Sequence, residues 1–319
     1  MATVAVMEIK AAGLLTTVQD LGRFGFARYG VAPSGALDSV AMRIANLLVD
    51  NPEEEAVLEI TLPGFCATVL TDAVIAVTGA DLGWRQNDRP LGMWQSHRFH
   101  RGEVIACREL YAGCRAYLSV GGGWVVPDVM GSKSTNLSSG FGGFDGRSLE
   151  KGDVLWSSSP QHHFGAGGRR FDLTAVPAYH GYWELRVVLG PQNDDFSATT
   201  QDLFLNSVFR VAPHSDRAGI RLLGASIKAK EGLAESILSE GVVAGAVQVP
   251  GDGRPIILLG ETASGGYRKI ATVITADLHL LGQVLPGDRI RFQAVTIREA
   301  RQALRQLEEM IGRFRDSLA

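Results

Sequence analysis

Four clusters in this 319-residue chain carry groups able to hold or activate a small polar molecule. The first is Gly131-Ser132-Lys133-Ser134-Thr135, which follows Gly121-Gly122-Gly123 and precedes Gly140-Phe141-Gly142-Gly143. Hydroxyls and an amine crowded into one loop make it rich in donors, and flanking glycines let a ligand reach the backbone. Such a loop holds a carboxylate or phosphate oxygen, or it is an ordinary Ser/Thr-rich turn; composition leaves both open. The second cluster is Ser215-Asp216-Arg217-Ala218-Gly219-Ile220-Arg221-Leu222. Asp216 is placed to orient Arg217 or Arg221, and an oriented guanidinium suits bidentate carboxylate recognition. A surface ion pair in a turn is the plainer alternative. The third runs Gly245-Ala246-Val247-Gln248-Val249-Pro250 and then Gly253-Arg254-Pro255, where Gln248 can donate and accept toward an amide or ureido group. The fourth is Ser264-Gly265-Gly266-Tyr267-Arg268-Lys269, in which Tyr267 beside Gly265 and Gly266 would present its hydroxyl into a cleft.

Other chemistry is absent. There is no G-x-x-x-x-G-K-[ST] phosphate loop, no G-x-S-x-G elbow and no H-E-x-x-H, and Gly140-Phe141-Gly142-Gly143-Phe144-Asp145 misses the third glycine of a dinucleotide fingerprint. His162 and His163 have no carboxylate at ligand spacing, so they read as a solvated pair and no metal is expected. Cys66, Cys107 and Cys114 form no disulfide framework and read as small buried hydrophobes in a reducing cytoplasm rather than as catalytic thiols. The net charge of −3 offers no footprint for nucleic acid or an anionic membrane. Met1 to Lys10 alternates apolar and polar residues, unlike a signal peptide, and no apolar run approaches the roughly 20 residues that span a bilayer. A cytoplasmic protein is expected.

The elements that must position these clusters are short strands. Ala73 to Thr78, Glu103 to Cys107 and Ala116 to Val120 in the first half, and Leu185 to Leu189, Pro255 to Leu259, Lys269 to Thr275 and Arg289 to Phe292 in the second, are apolar, strand-like runs punctuated by turn residues. The 38 glycines follow no three-residue period and fit a turn-rich β protein. Ser157 to Tyr182 lacks apolar periodicity. The expected organisation is therefore a β lobe over 1–156, a linker or excursion over 157–182, and a second β lobe over 183–319. Glu150-Lys151-Gly152-Asp153 and Leu285-Pro286-Gly287-Asp288 echo each other near the two lobe ends. A helix is expected over Ala36 to Val49 with Ser34 as N-cap. Another opens on the capping box Thr296-Ile297-Arg298-Glu299 and carries an apolar stripe of Ala300, Leu304, Leu307, Ile311, Phe314 and Leu318, which packs on its own barrel or also meets a partner.

Taken together, Thr17-Val18-Gln19-Asp20-Leu21-Gly22-Arg23, Pro33-Ser34-Gly35-Ala36-Leu37-Asp38, Ala45-Asn46-Leu47-Leu48, Leu58-Glu59, Thr78-Gly79-Ala80 and Gly131 to Thr135, followed by Ser215-Asp216-Arg217, Gly245 to Pro250, Gly265-Gly266-Tyr267 and Pro286-Gly287-Asp288, make a recognisable series. It resembles the carboxyltransferase subdomain A/B family, which includes the C subunit of ATP-dependent 5-oxoprolinase, proteins named allophanate hydrolase subunit 2, and the carboxyltransferase part of urea carboxylase. The stretches span nearly the whole chain in family order. Two departures stand out. Lys133 replaces the arginine usual in the family loop, keeping the charge but losing the bidentate fork. Glu261-Thr262-Ala263 stands where the family usually carries Gln-Thr-Thr, and Arg268 follows Tyr267 where the family has proline.

The resemblance implies a mainly β chain with a few helices, built as two cyclophilin-like β-barrel lobes, with the site in a cleft between lobes and near a subdomain C/D-type partner. The first functional reading it implies is a hydrolase subunit: ATP-dependent opening of 5-oxoproline to glutamate, with ATP held through the complex and a LamB/YcsF-type subunit also present. Ser132, Lys133, Ser134, Arg217 and Arg221 would supply donors to developing oxyanions. The second is a biotin-dependent carboxyltransferase acting on urea or a related amide. Biotin would then arrive on another protein, since no A-M-K-M motif is present, with Gln248 on the ureido group, Arg217 on the carboxylate and Tyr267 assisting proton transfer. The third is a regulatory binding protein that antagonises a kinase inhibitor. The expected catalytic set is Arg217, Arg221, Tyr267 and Gln248. The expected binding set is Ser132, Lys133, Ser134, Thr135, Asp216, Gly265 and Gly266.

Overall fold

The computed structural model describes residues 3–158 and 160–318, and its chain forms two compact units. The first comprises the residues up to Arg23, Ser34–Tyr179 and the stretch from Arg313 onward; the second comprises Phe24–Pro33 and His180–Gly312. The mainly β architecture with a few helices is as expected.

In the first unit the strands divide between two antiparallel sheets over a shared core. One sheet has the order Val154–Ser158, Thr3–Ala12, Phe65–Val69, Val104–Cys107, Trp84–Gln86, Arg89–Pro90, and the other Leu15–Gln19, Val57–Thr61, Ala112–Val120, Ala73–Asp81, Gln95–Phe99. Val6, Ile9 and Phe65 of one sheet meet Leu58, Ile75 and Leu118 of the other in that core. The β-branched run from Ala73 is buried along nearly its whole length rather than on alternate residues. The reason is a helix, Ser39–Leu48, over its outer face: Thr78 Oγ1 donates to the Ala41 carbonyl at 2.6 Å, and Ser119 Oγ to Asn46 Oδ1 at 2.6 Å.

That helix begins later than its apolar spacing predicts, and Asp38 rather than Ser34 caps it, accepting from the Ala41 N–H at 2.8 Å. Ser34 and Gly35 lie in the left-handed region, with φ of 57° and 90°, which a helix start forbids. The backbone donors of this turn go instead to other strands: Gly35 to Gln19 Oε1, Ala36 to the Asp20 carbonyl, and Leu37 to Glu59 Oε2.

The second unit is a closed barrel in the order Tyr182–Leu189, Arg268–Val273, Ala246–Val249, Ile256–Leu258, Gly219–Leu223, Val208–Val211, Arg289–Ala294. A parallel pairing, Tyr182 with Arg289 through Val187 with Ala294, closes it. Leu185, Ile220, Val247, Ile257 and Ile290 are buried. The helix Ala198–Asn206 sends Phe204 against Phe292 at 4.6 Å, stacked. The C-terminal helix, Ile297–Ser317, starts on the expected capping box: Thr296 N–H donates to Glu299 Oε2 at 2.7 Å, and Glu299 N–H to Thr296 Oγ1 at 3.2 Å. Its residues Ala300, Ala303, Leu304 and Leu307 pack with Ile274 and Ala276 of the barrel unit. Among the described residues no helix is long and apolar enough to cross a membrane.

The echo between the two lobe ends is structural. Glu150 N–H donates to Asp153 Oδ2 at 2.7 Å, and Leu285 N–H to Asp288 Oδ2 at 2.9 Å. Gly152 and Gly287 have φ of 97° and 93°. Each turn is bracketed by the same two backbone bonds: Gly152 N–H to the Ile9 carbonyl and Ile9 N–H to that of Asp153, and Gly287 N–H to the Val211 carbonyl and Val211 N–H to that of Asp288.

Candidate functional site

The residues singled out in the sequence fall into two sets, one in each unit. In the first unit the Gly131–Thr135 loop is gathered around one carboxylate. Asp20 Oδ1 accepts from Ser132 Oγ at 2.7 Å and from Ser134 Oγ, while its Oδ2 accepts from Lys133 N–H at 2.6 Å. Gly22 N–H reaches the same Oδ1 at 2.7 Å. Thr135 Oγ1 donates to the Val18 carbonyl at 3.0 Å. Ser132, Ser134 and Thr135 are all buried, and their hydroxyl donors are spent inside the protein. Lys133 is half-buried and its ammonium pairs with Glu55. Arg23 completes the loop's setting. Its Nη2 donates to the Ser134 carbonyl, its guanidinium lies 4.8 Å over the Phe141 ring, and its buried Nη1 has no partner. Burial pulls the Arg23 pKa down, with Asp20 and Asp128 acting in the opposite direction.

In the second unit, Asp216 does not orient either arginine. Its Oδ1 accepts from the Ala218 and Gly219 N–H groups at 2.8 and 3.1 Å, shaping the turn that enters the strand. Arg217 is buried and its Nε donates to Glu261 Oε1 at 2.7 Å, both side chains being less than a tenth exposed. Glu261 thus takes the place the sequence assigned to Asp216. Thr262 Oγ1 donates to the Ala218 carbonyl at 3.0 Å, so this pair and this bond fix one loop against the other.

Arg221 and Tyr267 do come together on one cavity, and Gln248 lies in the same strand row beside it. The barrel registers pair Arg221 with Ile256, Ile256 with Gln248, and Gln248 with Lys269. Directly opposed residues share a sheet face, so these four form one row across adjacent strands. The neighbours Ile220, Leu222, Val247 and Ile257 point the other way, into the core, which puts the row on the barrel's outer face. A cavity of about 450 Å³ lies on it, lined by His214, Arg221, Arg254, Ile256, Tyr267 and Asp252 among others. Among the described residues neither Arg221 nor Arg254 has an acidic partner. Asp252 accepts from the Arg254 N–H at 3.0 Å as part of a turn. The cavity is therefore predominantly cationic, with one phenol, which is suited to a small carboxylate.

Gly265 and Gly266 lie beside the row. A Cβ on Gly265 would stand 2.0 Å from Gln248 Nε2, so any side chain there displaces the amide. That Nε2 is buried and has no hydrogen-bond partner. Lys269 sits next to it, buried, its ammonium paired with Glu240. His214, Arg254, Lys269, Glu240 and Glu261 were not in the expected catalytic or binding sets, although Arg254 and Lys269 stand in two of the clusters. Lys269 reads as part of a strand and Glu261 as a departure from the family pattern, and only the barrel register joins them to Gln248 and Arg217.

The profile of the carboxyltransferase domain, subdomain A and B, matches residues 29–294, and the chain belongs to that family. The C subunit of the Escherichia coli 5-oxoprolinase is 37% identical over 303 residues, covering 93% of this chain and 94% of its own length. The urea amidolyase of Lachancea kluyveri is 34% identical over 97% of this chain, which spans 18% of that protein. Among solved structures, the Kluyveromyces lactis urea amidolyase aligns with a TM-score of 0.92 at 32% identity over 98% of this chain, which spans 20% of that polypeptide.

Proposed function

We propose that this chain belongs to an ATP-dependent 5-oxoprolinase, as one of the subunits that together open 5-oxoproline to glutamate. The observation that carries the reading is the cavity on the outer barrel face. It gathers Arg221, Arg254 and His214 with, among the described residues, no acidic partner for either arginine, and 5-oxoproline brings the carboxylate such a cavity needs, whereas urea brings none. End-to-end correspondence with the C subunit of a 5-oxoprolinase supports it further. Arg221 and Arg254 hold the substrate carboxylate, and the Tyr267 hydroxyl faces the lactam, with Gln248 beside the cavity in the same strand row. Arg217, paired with Glu261, positions the neighbouring loop rather than touching substrate. The Ser132–Thr135 loop holds its own unit's fold around Asp20. ATP, bound through companion subunits of the C/D and LamB/YcsF types, supplies activation of the inert amide.

A second reading, a biotin-dependent carboxyltransferase acting on urea or a related amide, is favoured by the close structural likeness to urea amidolyase. Biotin would then be carried by another protein. The chain co-purified with its C/D-type and LamB/YcsF-type partners is expected to consume 5-oxoproline only when ATP is present. A stable complex that leaves 5-oxoproline untouched but carboxylates urea from free carboxybiotin would reverse the two readings.

A further inference from the structure

Beside the cationic cavity, the barrel row continues into a second group with an unmet hydrogen-bonding need. Gln248 is 4% exposed and its Nε2, a donor of two hydrogens, has no acceptor. Leaving a buried amide donor unsatisfied is unfavourable, so its presence here calls for a reason. Its register partner Lys269 is 5% exposed. The ammonium of Lys269 has one acidic partner, Glu240, and a long contact of 3.5 Å to the Tyr267 carbonyl. Glu240 is not a core residue, since 45% of its side chain is exposed. It lies on a two-stranded ribbon, Glu240–Gly241 paired with Ser264–Gly265, in which Glu240 is opposite Gly265. Gly265 is the residue against which the Gln248 amide rests. Gln192 Nε2 donates to Glu240 Oε1 at 2.8 Å and so holds the carboxylate over Lys269.

A buried cation, beside it in the row a buried donor with nothing to donate to, and a carboxylate laid on the cation from a solvent-facing ribbon make one arrangement. The geometry points to Gln248 and Lys269 as a second anion-binding subsite, one that takes a carboxylate or the oxyanion of an opening amide, with Glu240 as a built-in stand-in for the ligand. A ligand carboxylate displaces that of Glu240 from Lys269 and gives Gln248 Nε2 its missing acceptor. Glu240 then turns to solvent at little cost, because it is already half exposed. Lys269 thereby becomes a binding residue of the site and Glu240 its internal competitor. The inference rests on the 5-oxoprolinase reading for the identity of the natural ligand, but not for the geometry.

Acetate is a suitable probe because it carries the carboxylate and nothing else. Titrated into the full chain, it is expected to shift the Gln248 side-chain amide resonance saturably. Glu240→Gln, which keeps the ribbon and the Gln192 contact but removes the competing charge, is expected to tighten acetate binding about tenfold. Adding Lys269→Gln to that variant is expected to abolish the shift, and Lys269→Arg to retain it, which separates loss of charge from loss of fold. An acetate affinity unchanged or weakened in Glu240→Gln overturns the inference whatever 5-oxoproline does. A subsite that takes acetate in this pattern but excludes 5-oxoproline leaves the inference standing and counts against the 5-oxoprolinase reading.

Discussion

Replacing Asp20 by asparagine removes the charge on which Ser132, Lys133, Ser134 and Gly22 converge. Bonds to a buried charged acceptor are among the stronger ones, and the donors left behind are buried with it. Asp20→Asn is expected to cost about 2–4 kcal/mol, read as a lower urea midpoint at unchanged slope; a midpoint within error of wild type would refute this role. In the second unit the two arginines that look alike in sequence should behave oppositely. Arg217→Ala strands the buried Glu261 and is expected to cost about 3–5 kcal/mol. Arg221→Ala, on an exposed residue of the cavity wall, should leave stability within about 0.5 kcal/mol and raise KM for 5-oxoproline at least roughly tenfold. The residue types were legible because clusters of hydroxyl, guanidinium and amide are rare. Their directions were not, because the acceptor of Ser132 lies 112 residues away and that of Arg217 lies 44 away, separations no local pattern reports.

Strands and the capping box could be read directly, since β-branched runs and Thr296-x-x-Glu299 express local preferences. The start of the Ser39–Leu48 helix could not, because the backbone of Gly35 to Leu37 is captured by groups on distant strands. Two local elements carry expectations, a turn and a ribbon. Asp153 grips Arg147 through both oxygens at 2.8 Å and accepts from Glu150 N–H. The Arg147 contact first, and then the backbone donor, hold its pKa below the usual aspartate value of 3.8. A depressed carboxylate contributes stability that is present above the unfolded pKa and lost as pH falls through the lower folded one. The urea midpoint of wild type should therefore drop more between pH 5.5 and pH 2.5 than that of Asp153→Asn; parallel curves would remove Asp153 from the account. Gly265→Ala tests the ribbon strand Ser264–Gly265. The added methyl evicts the Gln248 amide, so kcat/KM should fall on the order of a hundredfold while the melting temperature moves little.

At the scale of the chain, the units are not consecutive in sequence. The first recovers the stretch from Arg313, where Phe314 meets Phe171 edge-on at 4.9 Å and Arg315 reaches Glu53 at 3.0 Å. A chain stopped after Gly312 is expected to melt at lower temperature, with the loss tracked by near-ultraviolet signals from the first unit; an unchanged melt would show these contacts to be idle. The matched turns at Gly152-Asp153 and Gly287-Asp288 are one local solution used twice. Each joins a left-handed glycine, an aspartate closing on the residue three before it, and a two-way exchange with another strand, so Val211 stands to the second turn as Ile9 does to the first. The solution leaves each aspartate with bonding capacity to spare, which goes to an arginine in one turn and to the Trp183 indole, at 2.8 Å, in the other.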